Sequence, residues 1–584
     1  MRGMTHRWLM DEPPTGIDTS ALDLEPIVLR FLASRGFTDA SAIAAYTRPR
    51  LDGMHDPSQL PGVERAAERL LAALEHNERV VIYGDYDVDG VCATAILFHM
   101  MKTLSPGADV RTYVPHRVDE GYGLNDEAIR ELAEGGAGVI VSVDCGITAS
   151  GPARVARDAG VDLIITDHHN IDETAPLPEA HTLVHPRLPD SVYPYGELCG
   201  AGVAYKLAWR LATMKTGGER VGETLQRLLL DLLALAGLAT VADIVPLTGE
   251  NRIIAKWGLA RVKSTDLLGL RALLEASGLD GQDVDAEHAG FTLGPRLNAC
   301  GRLGHAKDAV ELFTTDDAAR ANEIAGSLSK LNDQRRRTET KIFEHASDLA
   351  REAGMTAPAN RAIVLAHEAW HTGVVGIVCS RLVGAFGRPS ILMQRDGDLC
   401  KGSARSIEGF NLHAALVECA DCLETYGGHD MAAGLKLRAE RLGAFTERFT
   451  AVANAQIEES MLTPSLRIDC EADLSEFTPN AVRQLLDLGP FGSRNHEPTF
   501  LLRRVTPARD ATPFGKQGDH MNLHVRDGSR EIRFVAWRWG DRREQLRAGT
   551  ALDIVVRPKL STWRGVTRLE PEIKDVAFAT QMAR

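Results

Sequence analysis

Carboxylates and imidazoles recur in this chain just past apolar runs, in groups whose residue types suit metal chemistry. Asp85, Asp87 and Asp89 stand at alternate positions between Val80–Tyr83 and Gly90, Asp144 opens Asp144-Cys145-Gly146, and Asp167-His168-His169 follows a third run. Asp243 lies in Ala242-Asp243-Ile244-Val245-Pro246, after a long apolar stretch. If the first segment is extended, alternate side chains share a face and its three aspartates converge on one point. Carboxylates so close repel one another unless a cation stands between them. Asp and His without Cys suit Mn²⁺ or Mg²⁺ in a carboxylate-rich two-metal site. A calcium loop fits the start of the segment but fails at its twelfth position, where Ile96 replaces the required Glu. A solvated acidic turn stays open for this segment taken alone.

The elements that must deliver these groups alternate. Apolar strands are expected at Val80–Tyr83, Val110–Val114, Val139–Val143 and Val161–Thr166, with helices at Val91–Leu104, Asn125–Glu134 and Ala153–Ala159 between them. That is the rhythm of a mostly parallel sheet, in which ligands gather beyond the C-terminal ends of the strands. Asp316 to Gly354 reads as one helix with an apolar seam through Ile324, Leu328, Leu331, Ile342 and Leu349, roughly 50 Å long. From about Leu462 the pattern changes to short alternating strands, Met521–Val525, Ile532–Trp537, Leu552–Val556 and Thr567–Ile573, which suggest an OB-like barrel.

Composition frames these elements. At 584 residues the chain needs several cores, and 44% apolar with 25% charged residues is an ordinary globular balance. Met1 to Pro14 holds scattered charges and no apolar core of a signal peptide, and Leu228–Val245 carries Asp231 and Asp243, so a buried helix is expected and no membrane partner. Nine cysteines at irregular spacing argue for a reducing cytoplasm, and Cys419 with Cys422 forms a CxxC without a second pair. The net charge of −14 is unevenly spread: Ser493–Arg584 holds 18 Lys plus Arg against 11 Asp plus Glu, a local +7 that leaves −21 elsewhere. A basic module on an acidic body is a candidate footprint for a polyanion, to which Trp537, Trp539 and Trp563 could add stacking surfaces unless they are core.

Taken together, Asp85-Tyr-Asp87-Val-Asp89-Gly90, Val143-Asp144-Cys145-Gly146, Asp167-His168-His169 and Ala242-Asp243-Ile-Val-Pro resemble the motifs of the DHH phosphoesterase superfamily, and within it the single-strand-specific DNA exonuclease branch. The resemblance runs from about Arg79 to the C-terminus. It implies that Asp87, Asp89, Asp144, His168 and Asp243 hold two divalent ions, Mn²⁺ or Mg²⁺, with Asp144 bridging and His169 beside the scissile phosphate. Asp144, His168 and His169 are then the catalytic set, and Asp85 supports the ligands. Some relatives carry His where this chain has Tyr83. Arg117, Arg302, Ser403, Arg405, Gly427, Gly428 and His429 match positions expected to bind substrate, and guanidinium forks with glycine-lined N–H groups suit a terminal phosphate.

The implied fold is α/β. An N-terminal helical segment (1–60) would precede a mostly parallel DHH domain (61–315), a connecting helix (316–354), an α/β DHH-associated domain (355–461) and an OB-like nucleic-acid-binding barrel (462–584). The implied activity is 5′→3′ degradation of single-stranded DNA to mononucleotides in repair and recombination, by a monomer for which a single-strand-binding protein and a helicase are candidate partners. A small-substrate phosphodiesterase, of oligoribonuclease or cyclic-dinucleotide type, would share the metal residues without needing the barrel. A non-catalytic scaffold would have lost them. His367-Glu368-Ala369-Trp370-His371 is formally HExxH, but a zinc protease needs those residues on one helix, and here they follow a strand pattern.

Overall fold

The computed structural model describes residues 2–11, 23–116, 120–218, 220–528, 530–563 and 565–579. The chain divides into two compact units: Arg48–Arg335 with Gly489–His496, and Met1–Thr47 with Arg336–Leu488 and Glu497–Arg584.

In the first unit the β-branched segments Val80–Tyr83, Val110–Tyr113, Val139–Val143, Asp162–Thr166 and Thr182–Val184 form a five-stranded, all-parallel sheet. The Val110–Tyr113 strand lies at one edge and Thr182–Val184 at the other, with Val80–Tyr83 and Val139–Val143 side by side between them. Val139–Val143 is fully buried, as expected of a parallel strand covered on both faces. The helix expected from Val91 begins earlier, at Val88, because Asp87 caps it. Asp85, Asp87 and Asp89 therefore do not share a face of extended chain: Asp87 precedes a helix and Asp89 rides on its first turn.

The helices Glu223–Ala242 and Gly249–Val262 form an antiparallel hairpin whose connection carries Asp243. They meet at Gly237 and Gly258, where a Cβ on Gly237 would lie 2.9 Å from the Gly258 Cα, so only glycine permits the approach. Glu223–Ala242 is long and apolar enough to cross a membrane, yet 61% of its apolar window is buried in the protein. Behind the hairpin, Lys206 and Glu250 form a fully buried ion pair. Lys206 also donates to the His55 carbonyl at 2.5 Å, and Tyr193 donates to Glu250 at 2.6 Å, so neither charge lacks hydrogen bonds.

The long helix runs Ala318–Glu352. In the second unit a five-stranded mixed sheet follows in the order Thr425–Gly428, Ala432–Arg438, Leu399–Arg405, Ser390–Asp396, Ile363–His367, of which the last two pair in parallel. A barrel is built from Phe500–Pro507, Leu552–Arg557, Glu572–Phe578, Arg530–Ala536 and His520–Asp527, closed by pairing of the last strand with the first. The expected strand Thr567–Ile573 is two elements. Val566–Leu569 pairs with Leu560–Trp563 as a separate hairpin, and the barrel strand starts at Glu572, after Pro571, which has no N–H to continue a ladder.

Residues 1–60, read as short helices, contain Pro26–Ser34 and Ala40–Thr47 and also a strand, Arg7–Met10, that pairs in parallel with Ser465–Ile468. Trp8 on this strand is buried, and its indole donates to Asp575 at 2.8 Å. The HExxH residues are split between elements: His367 ends a strand and His371 caps the helix Thr372–Phe386. Cys419 and Cys422 are buried in the apolar core of the mixed-sheet region.

Candidate active site

Every acidic motif read from the sequence reaches the same end of the parallel sheet. Asp87 caps its helix by accepting from the backbone N–H of Asp89 at 2.9 Å and Gly90 at 3.2 Å. Asp89 is 1% exposed, and its two oxygens accept from Gly200 N at 2.6 Å and Ala201 N at 2.8 Å, at the N-terminus of the helix Gly200–Thr216, where the dipole favours negative charge. Asp144 takes a left-handed backbone (φ 63°) that few non-glycine residues adopt, and its N–H donates to Thr166 O at 3.0 Å. A Cβ on Gly200 would fall 2.5 Å from Asp144 Oδ1, so the glycine is what lets the helix start press against this carboxylate.

His168 Nε2 is the hub. It lies 3.1 Å from Asp144 Oδ1 and 3.7 Å from both Asp89 Oδ2 and Asp243 Oδ2. Asp144 Oδ1 and His168 Nε2 are buried and make no hydrogen bond among the described residues, a costly state for polar atoms unless something else satisfies them. Ligand atoms cluster in three overlapping groups: Asp85 with Asp87 and Asp144, Asp89 with His168 and Asp243, and Asp144 with His168 and His169. Divalent ions fit this oxygen-rich, imidazole-containing donor set.

Crowding disfavours the charge on most of these carboxylates. Burial first, then neighbouring Asp89, pushes the Asp87 carboxyl above its ordinary range, and burial with Asp89, Asp87 and Asp85 pushes Asp144 up further. Asp243 rises to about 9 for the same reasons. Burial lowers His168. Asp167 behaves oppositely: burial disfavours its charge, but the His169 ring and backbone N–H groups outweigh that and hold it at about 2. Its Oδ1 lies 2.7 Å from His169 Nδ1 and also accepts from the His168 and His169 backbone, while Oδ2 accepts from Ile147 N. The pairing raises His169 despite burial. The His169 carbonyl accepts from His185 Nε2 at 2.9 Å.

Several residues take part in ways not read from the sequence. Asp85, expected only to support the ligands, joins the Asp87–Asp144 group directly. Tyr122, half exposed, donates to the Asp144 carbonyl at 3.3 Å and lies 3.2 Å from the His169 ring. The Gly200 and Ala201 N–H groups are 111 and 112 residues from the carboxylate they bind, and their only local sign is Cys199-Gly-Ala-Gly202 before an apolar helix. Tyr83 is fully buried; its hydroxyl donates to the Gly123 carbonyl at 3.0 Å and accepts from Asn125 at 3.3 Å. It thus anchors the turn that carries Tyr122.

Of the expected phosphate binders, Arg117 lies outside the described residues. Arg302 is half-buried on the helix Gly294–Leu303, whose Asn298 accepts from Val88 N at 3.2 Å and so reaches the acidic loop. Arg296 instead closes structure, bonding Thr292 O and Ser329. Ser403, Arg405, Gly427, Gly428 and His429 belong to the second unit. Ser403 is in register with Gly434, and Gly434 with Gly427, so one corner of the mixed sheet holds both motifs. A Cβ on Gly376 would lie 3.2 Å from Ser403 Oγ and 3.5 Å from Arg405 Nη2, so a helix backbone closes that corner. The Gly427–Ala433 stretch is the turn of a hairpin and leads into no helix.

The chain matches the DHH family N-terminal domain over residues 79–237, the DHHA1 domain over 359–455 and the RecJ OB domain over 468–575. It is 37% identical over 564 residues to the single-stranded-DNA-specific exonuclease RecJ of Bacillus subtilis, covering 96% of this chain and 69% of that protein. The crystal structure of RecJ from Thermus thermophilus with Mn²⁺ superposes with a TM-score of 0.82 at 31% identity, covering 98% of this chain and 79% of that one. The Mg²⁺ complex from the same organism gives 0.76 at 30% identity, covering 98% and 78%.

Proposed function

The chain belongs to the RecJ family of single-stranded-DNA-specific exonucleases, and we propose from that premise that it removes mononucleotides from single-stranded DNA in the 5′→3′ direction. It is a metal-dependent single-strand exonuclease. The small-substrate alternative is not favoured, because the similarity extends through the barrel.

The observation that carries the residue assignment is the convergence of Asp144 Oδ1 and His168 Nε2, 3.1 Å apart and without a hydrogen bond, within three overlapping ligand groups. Asp87, Asp89, Asp144, His168 and Asp243 would hold two divalent ions, Mn²⁺ or Mg²⁺, with Asp85 beside them. When bound, such ions supply Lewis-acid stabilisation of the charge that builds on a phosphodiester during in-line hydrolysis. The protein's own groups do the rest. Gly200 and Ala201 N–H donate to both oxygens of Asp89 and fix its orientation. Asp167 fixes the His169 ring and keeps a proton on Nδ1, so the imidazole can donate to a phosphate oxygen or protonate the departing oxygen. Tyr122 screens His169 from bulk water on one side.

Arg117 and Arg302 of the first unit and, separately, Ser403, Arg405, His429 and the Gly427-Gly428 backbone of the second are the substrate's phosphate binders, and the C-terminal barrel binds the strand. The domain division of this reading is an N-terminal segment 1–60, a DHH domain 61–315, a connecting helix 316–354, a DHH-associated domain 355–461 and a barrel 462–584. The protein works as a cytoplasmic monomer in DNA repair and recombination, alongside a single-strand-binding protein and a helicase. The test is digestion of 5′-labelled and 3′-labelled strands, with and without a 5′ phosphate, in Mn²⁺. Mononucleotides should appear first from the 5′ label and faster with the phosphate. First release from the 3′ label overturns the polarity, and equal rates overturn the phosphate site.

A further inference from the structure

A groove of about 1090 Å³ runs over the outer face of the barrel strands His520–Asp527 and Arg530–Ala536, beneath the hairpin Leu560–Leu569. Its floor and rim carry Arg509, Arg533 and Arg568 with His524, the charge pattern of a backbone track for a polyanion. Yet two of its three arginines are already paired with carboxylates. Glu531 Oε1 lies 3.1 Å from Arg509 Nη2 and 3.2 Å from His524 Nδ1, and its other oxygen is 3.8 Å from Arg526. Glu570 pairs with Arg533. Arg568, exposed on the hairpin, makes no ion pair among the described residues, and Val566 beside it is 51% exposed.

Carboxylate and phosphate present the same two-oxygen edge to a guanidinium fork, so each glutamate occupies the place a phosphate would take. These pairs are substantially exposed, with the Arg509 side chain 59% and the Arg533 side chain 49% accessible, and exposed pairs are weak. They orient the guanidinium groups without holding them against a better ligand. We propose that Glu531 and Glu570 are built-in competitors for the single strand, keeping Arg509 and Arg533 aligned but paired until phosphates displace them. This rests on the barrel being the strand-binding module of the exonuclease proposed above. The occupant is single-stranded because the hairpin lining the groove bears exposed Val566, an apolar contact that suits unpaired bases more than a paired backbone. A grip weakened in this way lets the strand advance after each cleavage.

The test uses the full chain in an Asp144→Ala background, which keeps the strand intact, with a fluorescent thirty-nucleotide oligothymidine and anisotropy at several salt concentrations. Glu531→Gln and Glu570→Gln keep shape and remove charge, and each should tighten binding about three- to tenfold at low salt. Each should also steepen the slope of log K against log salt by up to about 0.7. Arg533→Ala should weaken binding. Unchanged or weaker binding by either glutamine variant overturns the proposal, as does an equal gain from Asp541→Asn, which lies outside the groove and reports a general charge effect. Cleavage of the same strand by the unmodified chain, run in parallel, shows separately whether the exonuclease reading holds.

Discussion

The carboxylates at the head of the parallel sheet and those along the barrel groove meet opposite electrostatic conditions. Buried Asp144 and half-buried Asp87 and Asp243 stand beside one another and are pushed toward the neutral form, with imidazoles for company and no guanidinium among their described contacts. Glu531 and Glu570 are partly exposed, and arginines stand against both. An uncompensated buried cluster is relieved by taking up protons or a cation, whereas a compensated exposed one is stable alone and can exchange partners. The first condition marks a place for a resident ion, and the second a place for a visiting anion.

Removing charge from the crowded cluster should break the contrast most visibly. Asp144→Asn is expected to cut Mn²⁺-dependent cleavage by at least about a hundred- to a thousandfold. Without metal the same variant should melt a few degrees higher, because it relieves repulsion, while the rise in melting temperature on adding Mn²⁺ shrinks. A metal-free variant that melts lower than its parent would mean that the cluster is already compensated.

A buried but compensated pair sharpens the point within the same unit. Lys206→Met strands Glu250 and should destabilise by about 3–5 kcal/mol in denaturant unfolding, whereas Lys206→Met with Glu250→Leu should recover most of that loss. Equal losses in the single and double variants would show that packing, and not charge, is what the pair contributes.

Aromatic residues divide the barrel in the same way. Trp539 is 6% exposed, while Trp537 is 50% exposed and packs its ring near Phe514 and His520, 5.5 and 4.8 Å between centroids. Trp537→Ala should weaken single-strand binding by about 1–3 kcal/mol with little change in melting, and Trp539→Ala should do the reverse. Interchanged results would exchange the two roles.

The smallest effect concerns an exposed compensated group. Asp109 lies between Arg111 and Arg79, whose hydrogen bonds hold its carboxyl at about 2, below its ordinary 3.8. Its folded pKa is depressed, so its contribution is present above 3.8 and fades as pH falls toward 2. Asp109→Asn should flatten that part of the acid limb of a stability–pH profile and leave neutral pH nearly unchanged.

Much of the site was legible because its residues sit directly after strands, where apolar runs and acidic punctuation are both local. The parallel sheet, the long helix and the barrel class were legible for the same reason of periodicity. What was hidden depends on distance or on caps. The start of the helix at Val88 follows from a hydrogen bond by Asp87, and an alternating pattern of aspartates looks extended until that cap is seen. Asp89 finds its N–H partners more than a hundred residues away. Trp537 and Trp539 have equal sequence credentials, yet two positions along a strand end separate surface from core.

The indole of Trp8 reaches the carboxylate of Asp575, 567 residues further along the chain. At ~5–20 residues per second, a ribosome needs roughly half a minute to two minutes to deliver the second partner after the first. Arg48–Arg335 contains the whole parallel sheet and can collapse during that interval, while the strand Arg7–Met10 waits for Ser465–Ile468 with its edge unpaired. Synthesis therefore imposes an order on assembly, and the early strand is the segment for which nascent-chain chaperones would compete.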